Sequence, residues 1–261
     1  MRALELAGRL AVITGAGSGI GRGLAVEAAG RGMQLALADN DKDALEQTLG
    51  LVGEAGAAAT GTVLDIRDAD ALGRFAENCF ARSAPALVFA NAGILKYEST
   101  LRPDLESWRR AVDINLMGTV NTVHAFLGRM IDANEPAQFV VTGSMGSFVA
   151  APELASYGAT KHAVWALAEC LRMELGDNMS VGISLLAPPR VDTPLLNESE
   201  ARTRAARGDG AAAALRNSAM TPTQIAQDAL AGAVARNFYI APQTDDVAGI
   251  IRQRIEELLA G

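Results

Sequence analysis

The chain has 261 residues, 49% of them apolar and 20% charged, a balance that excludes a disordered or collagen-like polymer and suits one large globular unit. Its 30 Asp and Glu outweigh 23 Lys and Arg, for a net charge of −7, and so acidic a surface repels phosphate backbones and anionic bilayers. Neither nucleic acid nor a membrane is expected as a partner.

The elements alternate along the chain. Leu10–Thr14 is a short apolar run closed by glycines and reads as a buried strand. Ile20, Leu24, Ala25 and Ala28 then recur at helical spacing to about Gly30. Gln34–Asp39 is the second strand, Asp41–Glu54 a polar-faced helix, and Ala59–Leu64 a third strand weakened by Gly61. Asp68–Arg82 is helical and Ala86–Ala90 is strand. One long helix is expected over Asp104–Met130, then strand Gln138–Thr142, helix Leu154–Leu175 and strand Val181–Leu186. A last short strand, Phe238–Ile240, is flanked by helices starting near Thr221 and Asp245.

This βαβα order implies an α/β fold, doubly wound in the Rossmann manner, with helices on both faces of a parallel sheet. A single domain over 1–261 is expected. Residues Asp192–Met220 show no strong periodicity and follow a strand's carboxyl end, where open sheets bind ligands, so they read as a mobile lid over the substrate.

Cys79 and Cys170 sit in apolar or helical patterns and are expected as buried free thiols. His124 and His162 lack neighbours at ligand spacing, so no metal site is expected. Arg2, Glu5 and Arg9 break up any leader-like run, and no stretch reaches the ~18 apolar residues of a membrane span. A soluble, cytoplasmic protein is the expectation.

Chemistry enters at the first turn. Thr14-Gly-Ala-Gly-Ser-Gly-Ile-Gly21 follows a strand and opens a helix. Glycines let the backbone approach a diphosphate, and the helix start offers free N–H groups and a positive dipole end. The spacing of Gly15, Gly17, Gly19 and Gly21 fits neither GxGxxG nor a GxxxxGK kinase loop. A plain tight turn is the alternative. Asp39 ends the second strand, 18 residues past Gly21, where a carboxylate accepts ribose hydroxyls and repels a 2′-phosphate. With Ser18 in the turn and Asn40 after Asp39, NAD is favoured over NADP. Helix capping is the alternative for Asp39, although Asn40 or Asp41 would serve equally well.

Tyr157 and Lys161 stand at i,i+4 on one helical face. A free phenol titrates near ~10, and a nearby ammonium lowers that value, so the pair can shuttle a proton to an alcohol oxygen. Taken alone, such a pair is common on solvated helices. Its position beside the Ser-rich turn Gly143–Ser147 raises its weight.

Over essentially its whole length the chain resembles the short-chain dehydrogenase/reductase family. The resemblance is carried by the Thr14–Gly21 turn, Asp39, Asp65, Asn91-Ala92-Gly93, Asn115 within Asp-Ile-Asn-Leu-Met-Gly, Ser144, and Tyr157-Gly-Ala-Thr-Lys161. It implies a seven-stranded, mainly parallel sheet and the single-domain type acting on secondary alcohols and ketones. It implies Tyr157 as general acid/base and Ser144 as the group orienting the substrate oxygen. Lys161 would lower the Tyr157 pKa and hold the nicotinamide ribose, and Asn115 would anchor a proton-relay water. Gly15, Gly17, Ser18, Gly19, Ile20 and Gly21 would hold the diphosphate, and Asp65 and Ile66 the adenine. Asn91, Ala92, Gly93, Pro188, Val191 and Thr193 would line the remainder of the cofactor site. Structural alternatives stand beside these roles: Ser144 capping a turn, Asn115 satisfying backbone in a kinked helix, Asp65 capping the next helix.

One departure falls at Ala187–Pro194, where Pro189 stands in place of the glycine usual in Pro-Gly-x-Val-x-Thr. Proline locks φ and lacks an N–H, which puts the local path along the nicotinamide in question. A lesser departure is Ala90, where Asn is common.

Ile94, Leu95, Met145, Phe148, Leu154, Leu195 and Leu196 are expected around the substrate, with Arg190 as the one basic neighbour. That lining suits a neutral, fairly hydrophobic secondary alcohol or ketone. A binding-only regulatory protein, motivated by Pro189, and a sugar-nucleotide dehydratase or epimerase, for which the chain is short, are the other readings. The resemblance also implies a homotetramer, with a homodimer as alternative, packed through Asp104–Met130 and Leu154–Leu175.

Overall fold

The computed structural model describes residues 4–176, 180–210, 213, 217–242 and 245–260. Arg2, and residues 211, 212 and 214–216 of the expected lid, lie outside them.

Seven strands form one parallel sheet: β1 Leu10–Thr14, β2 Gln34–Asp39, β3 Ala59–Val63, β4 Pro85–Ala90, β5 Ala137–Thr142, β6 Val181–Leu186 and β7 Tyr239–Ile240. Their spatial order is β3-β2-β1-β4-β5-β6-β7. The chain winds outward from β1 to β3, then returns to pair β4 with the other side of β1. That reversal opens a crevice at the carboxyl ends of β1 and β4.

Strand periodicity explains the two-faced core. Ala11, Ile13, Leu35, Leu37, Leu87 and Phe89 point to one face, where they meet α1 (Gly19–Gly30) and α2 (Lys42–Glu54). Leu10, Val12, Ala36, Ala38, Val88 and Phe139 point to the other, against α3 (Ala69–Arg82). β1, β4 and β5 are buried at every residue, as continuous apolar runs in a covered parallel sheet should be. Gly61 does not break β3. A Cβ there would fall 2.6 Å from Leu49 Cδ1, so the glycine lets α2 close on the sheet edge.

The expected helix Asp104–Met130 is interrupted. It consists of α4 (Leu105–Ala111), a π-helical segment Val112–Met117, and α5 (Gly118–Ala133). The interruption turns Asn115 fully inward. Such π segments cluster at functional sites because the widened turn re-aims one side chain. α6 (Ala155–Leu175) follows as expected.

Within the aperiodic stretch after β6, Pro194–Arg207 is a helix, α7. Pro194 pre-sets the first turn, and the Ala, Arg and Glu content favours helix without an apolar stripe. α8 (Pro222–Val234) starts at a capping box between Thr221 and Gln224, and α9 spans Asp245–Ala260. Cys79 is buried, and burial pushes its thiol up to about 12, but Cys170 lies exposed on α6, contrary to expectation. No helix among the described residues is long and apolar enough to cross a membrane.

Candidate active site

The crevice between β1 and β4 is closed by one threonine. Thr14 Oγ1 accepts from the Asn91 and Ala92 N–H groups at 3.0 and 3.2 Å and donates to the Phe89 carbonyl. Asn91 Nδ2 returns a bond to the Thr14 carbonyl at 3.1 Å, and its Oδ1 accepts from the Thr142 hydroxyl at 3.4 Å. Asn91 thus fastens the ends of three strands, leaving Ala92 and Gly93 along the crevice.

Gly15 lies at φ +66° with Ala92 so close that a Cβ would sit 2.7 Å from its Cα. Glycine is required there on both counts. Gly19, at φ +50°, begins α1 directly under Thr193, while Ser18 at the N-cap leaves its hydroxyl unused for capping. The first-turn N–H groups therefore face the crevice without a side-chain partner. Ile20 packs partly buried against the core.

Asp39 is built into this turn. Its Oδ2 accepts from Gly17 N–H at 2.7 Å and its Oδ1 from Asp41 N–H at 2.9 Å. The N-cap of α2 is Asp41, not Asp39. Sequence reading missed Arg22, one turn into α1. Its guanidinium donates to the Gly17 and Ala44 carbonyls and to Gln47, and Nε bonds Thr48. The signal was present, a lone arginine on a glycine- and alanine-rich helix, but its partners lie on another element.

Asp65 does not cap α3, because Asp68 holds that place. Asp65 instead forms a two-armed ion pair with Arg67, which keeps its carboxyl below the usual range. Ile66 is buried, its Cδ1 where a Cβ on Gly118 would fall.

Around the other half of the crevice stand Asn115, Ser144, Tyr157 and Lys161. Asn115 Oδ1 accepts from Ile94 N–H at 2.8 Å, and its Nδ2 donates to the Ile94 carbonyl at 2.9 Å and to Thr160 Oγ1 at 3.2 Å. Ser144 Oγ accepts from Gly146 N–H at 3.0 Å, so it does cap the turn Met145–Ser147. The Tyr157 phenol stands near enough for the Ser144 hydroxyl to influence its titration. The glycine at 146 permits this contact, since a Cβ would fall 3.2 Å from Tyr157 Cε1.

Burial raises the Tyr157 pKa, the Ser144 hydroxyl opposes that rise, and the nearby Tyr97 adds to it. The expected lowering by Lys161 is not the balance here. Lys161 is buried, its Nζ donates to the Thr142 carbonyl at 2.8 Å, and it stands 5.8 Å from the Tyr157 ring centroid. Burial lowers its own pKa to about 8. Helical spacing put both side chains on one face, but the bare end of β5 takes the ammonium.

No peptide bond among the described residues is cis, and residue 189 has no positive φ. The Pro188 carbonyl accepts from Met145 N–H, Val191 bridges to Met220, and the Thr193 hydroxyl reaches the Val191 carbonyl at 3.4 Å. Phe148 packs edge-on to Trp165, Leu196 is buried and Leu195 is exposed. Arg202 of α7 pairs with Glu153 at 2.7 Å and stands 5.1 Å over the Tyr97 ring. Among the described residues no three His, Cys, Asp or Glu side chains converge as metal ligands.

The fold is that of a Rossmann-type oxidoreductase, with Ser144, Tyr157 and Lys161 gathered at the end of β5. The chain belongs to the short-chain dehydrogenase/reductase family: its residues 9–204 match the family described as short chain dehydrogenase. A 1-deoxy-11-beta-hydroxypentalenate dehydrogenase of Streptomyces exfoliatus is 35% identical over 209 residues, 79% of this chain and 75% of that protein. A short-chain dehydrogenase/reductase from Burkholderia phymatum, solved in complex with NAD, superposes with a TM-score of 0.87 at 31% identity, covering 98% of this chain and 96% of that one. One from Mycobacterium paratuberculosis bound to NAD gives 0.78 at 27% identity, covering 91% and 96%.

Proposed function

We propose that the chain is an NAD-dependent dehydrogenase that interconverts a neutral, fairly hydrophobic secondary alcohol and its ketone. The observation that carries this reading is the Ser144–Tyr157 hydroxyl pair with buried Lys161 beside it at the end of β5.

The residues present fit a dinucleotide. Gly15, Gly17, Ser18, Gly19, Ile20 and Gly21 offer backbone and a helix start to a diphosphate. Asp39 keeps acceptor capacity beyond its two backbone bonds, and its charge disfavours a 2′-phosphate. Gly93 lies against Lys161 Nζ and Asn115 Oδ1, which leaves a narrow floor for the ribose and nicotinamide. Pro188, Val191 and Thr193 border the same end. A bound nicotinamide accepts hydride in oxidation and donates it in reduction.

The protein moves the proton. With its pKa raised, Tyr157 is a protonated phenol at neutral pH and can give its proton to a forming alkoxide. In the reverse direction its ionised form takes the alcohol proton. The Ser144 hydroxyl meets charge on the substrate oxygen in both directions. Lys161, titrating near 8, and Asn115 beside it lie on the side from which the phenol is resupplied. Apolar Ile94, Leu95, Met145 and Leu154 supply the substrate walls, and α7 forms the lid. The chain works as a homotetramer through the faces of α5 and α6, where Met173 of α6 remains exposed.

The test is a panel of aliphatic, cyclic and aryl alcohols and ketones with NAD and NADP in both redox states, read at the reduced-nicotinamide absorbance. Turnover with NAD is expected. Tyr157→Phe should lower it about 10²- to 10⁴-fold with little change in NAD affinity. Tight NAD binding without turnover of any panel member would favour the binding-only alternative.

A further inference from the structure

Beyond Asp39, the rim of the sheet continues to the carboxyl end of β3. There a cavity of about 460 Å³ is lined by Asp65, Arg67, Asp68, Asp113 and Met117. Both oxygens of Asp65 in this cavity are engaged by one residue. Its Oδ1 accepts from Arg67 N–H and Nε at 3.0 Å each, and its Oδ2 from Nε at 2.9 Å and Nη2 at 2.5 Å. Three N–H groups make these four contacts, Nε sharing its one hydrogen between the two oxygens, and they occupy most of the carboxylate's acceptor capacity. The Asp68 carboxylate is engaged too, accepting from Ala71 N–H at 2.9 Å.

We infer that Arg67 is a specificity-determining residue of the cofactor site: it competes with the exocyclic amino group of an adenine base for Asp65. The inference rests on the dinucleotide reading above. A turn at β1 that holds a diphosphate, with a ribose acceptor at the end of β2, directs the base toward β3 and this cavity. The guanidinium covers the same two oxygens that an amino group would use, so the group gains full access to Asp65 when the guanidinium swings out. That movement is open to Arg67, whose side chain is half exposed and whose surface ion pair is weak. Asp65 itself stays put, because Asn121 of α5 holds the Ile66 and Arg67 carbonyls at 3.0 and 3.2 Å.

Titration calorimetry of wild type and Arg67→Ala with NAD and with nicotinamide hypoxanthine dinucleotide tests this. The second ligand carries a carbonyl where adenine carries its amino group. The wild type should distinguish the two less than about threefold, since Arg67 can serve the carbonyl as donor. Arg67→Ala should bind NAD about three- to fivefold tighter and prefer it about tenfold, with Asp65 freed. Equal or weaker NAD binding by the variant, or an unchanged preference, overturns the role of Arg67 and leaves the cofactor reading standing. Binding of neither dinucleotide by either protein overturns both.

Discussion

Asn115 holds Ile94 by both sides of its backbone, accepting from its N–H at 2.8 Å and donating to its carbonyl at 2.9 Å. One buried carboxamide thereby ties the π-helical segment to the loop after β4, and this loop is one wall of the crevice.

Asn115→Ala should destabilise the protein by about 2–4 kcal/mol, because it strands the Ile94 N–H and carbonyl and removes a donor from the Thr160 hydroxyl oxygen. Asn115→Asp keeps the acceptor and loses the donor, so a smaller loss is expected. Denaturant unfolding measures both, and a loss below about 0.5 kcal/mol for the alanine variant would contradict the assignment.

Lys161 gives a pH signature. Its folded pKa of about 8 lies below the ordinary 10.5, so the native state binds fewer protons between those values and stability rises with pH across that window. Below about 8 the penalty for burying the ammonium is present in full, about 3 kcal/mol. Lys161→Met removes it but leaves the Thr142 carbonyl without a donor, worth about 1 kcal/mol. The variant should therefore be the more stable protein at pH 7, with the gap narrowing by pH 10. A gap independent of pH in paired unfolding curves would contradict this.

Asp39→Ala removes the charge that opposes a 2′-phosphate and frees the Gly17 and Asp41 N–H groups. The NAD-to-NADP affinity ratio should fall about tenfold, through weaker NAD and stronger NADP binding. An unchanged ratio in fluorescence titrations would remove Asp39 from the cofactor assignment.

Arg202 joins three segments. It pairs with Glu153 at 2.7 Å and reaches the Tyr97 carbonyl at 3.4 Å, while Glu98 N–H bonds the Glu153 carbonyl at 2.9 Å. Glu153 holds a left-handed φ of +63° just before α6. Arg202→Ala should speed amide exchange in α7 and raise KM about five- to tenfold, with kcat within about threefold of wild type. Unaltered exchange in Pro194–Arg207 would argue against α7 being latched by this arginine.

The chain's local patterns determined a good deal by themselves. Apolar runs marked the strands, and the glycines of the first turn marked backbone that comes close to its neighbours. Tyr157 and Lys161 were readable as a pair on one helical face, because spacing alone settles which way neighbouring side chains point on a regular helix. Tertiary structure decided the rest, since the deciding partner in each case is remote in sequence or depends on packing. The Thr142 carbonyl takes the Lys161 ammonium as its donor, and Ile94 sits opposite Asn115 at the interrupted helix. Arg22 is absorbed by carbonyls that include one on α2, and Arg202 crosses from an unstriped helix to Glu153. Such pairings arise from long-range closure of the chain, where a buried or strained group takes whichever partner the fold brings within hydrogen-bond reach.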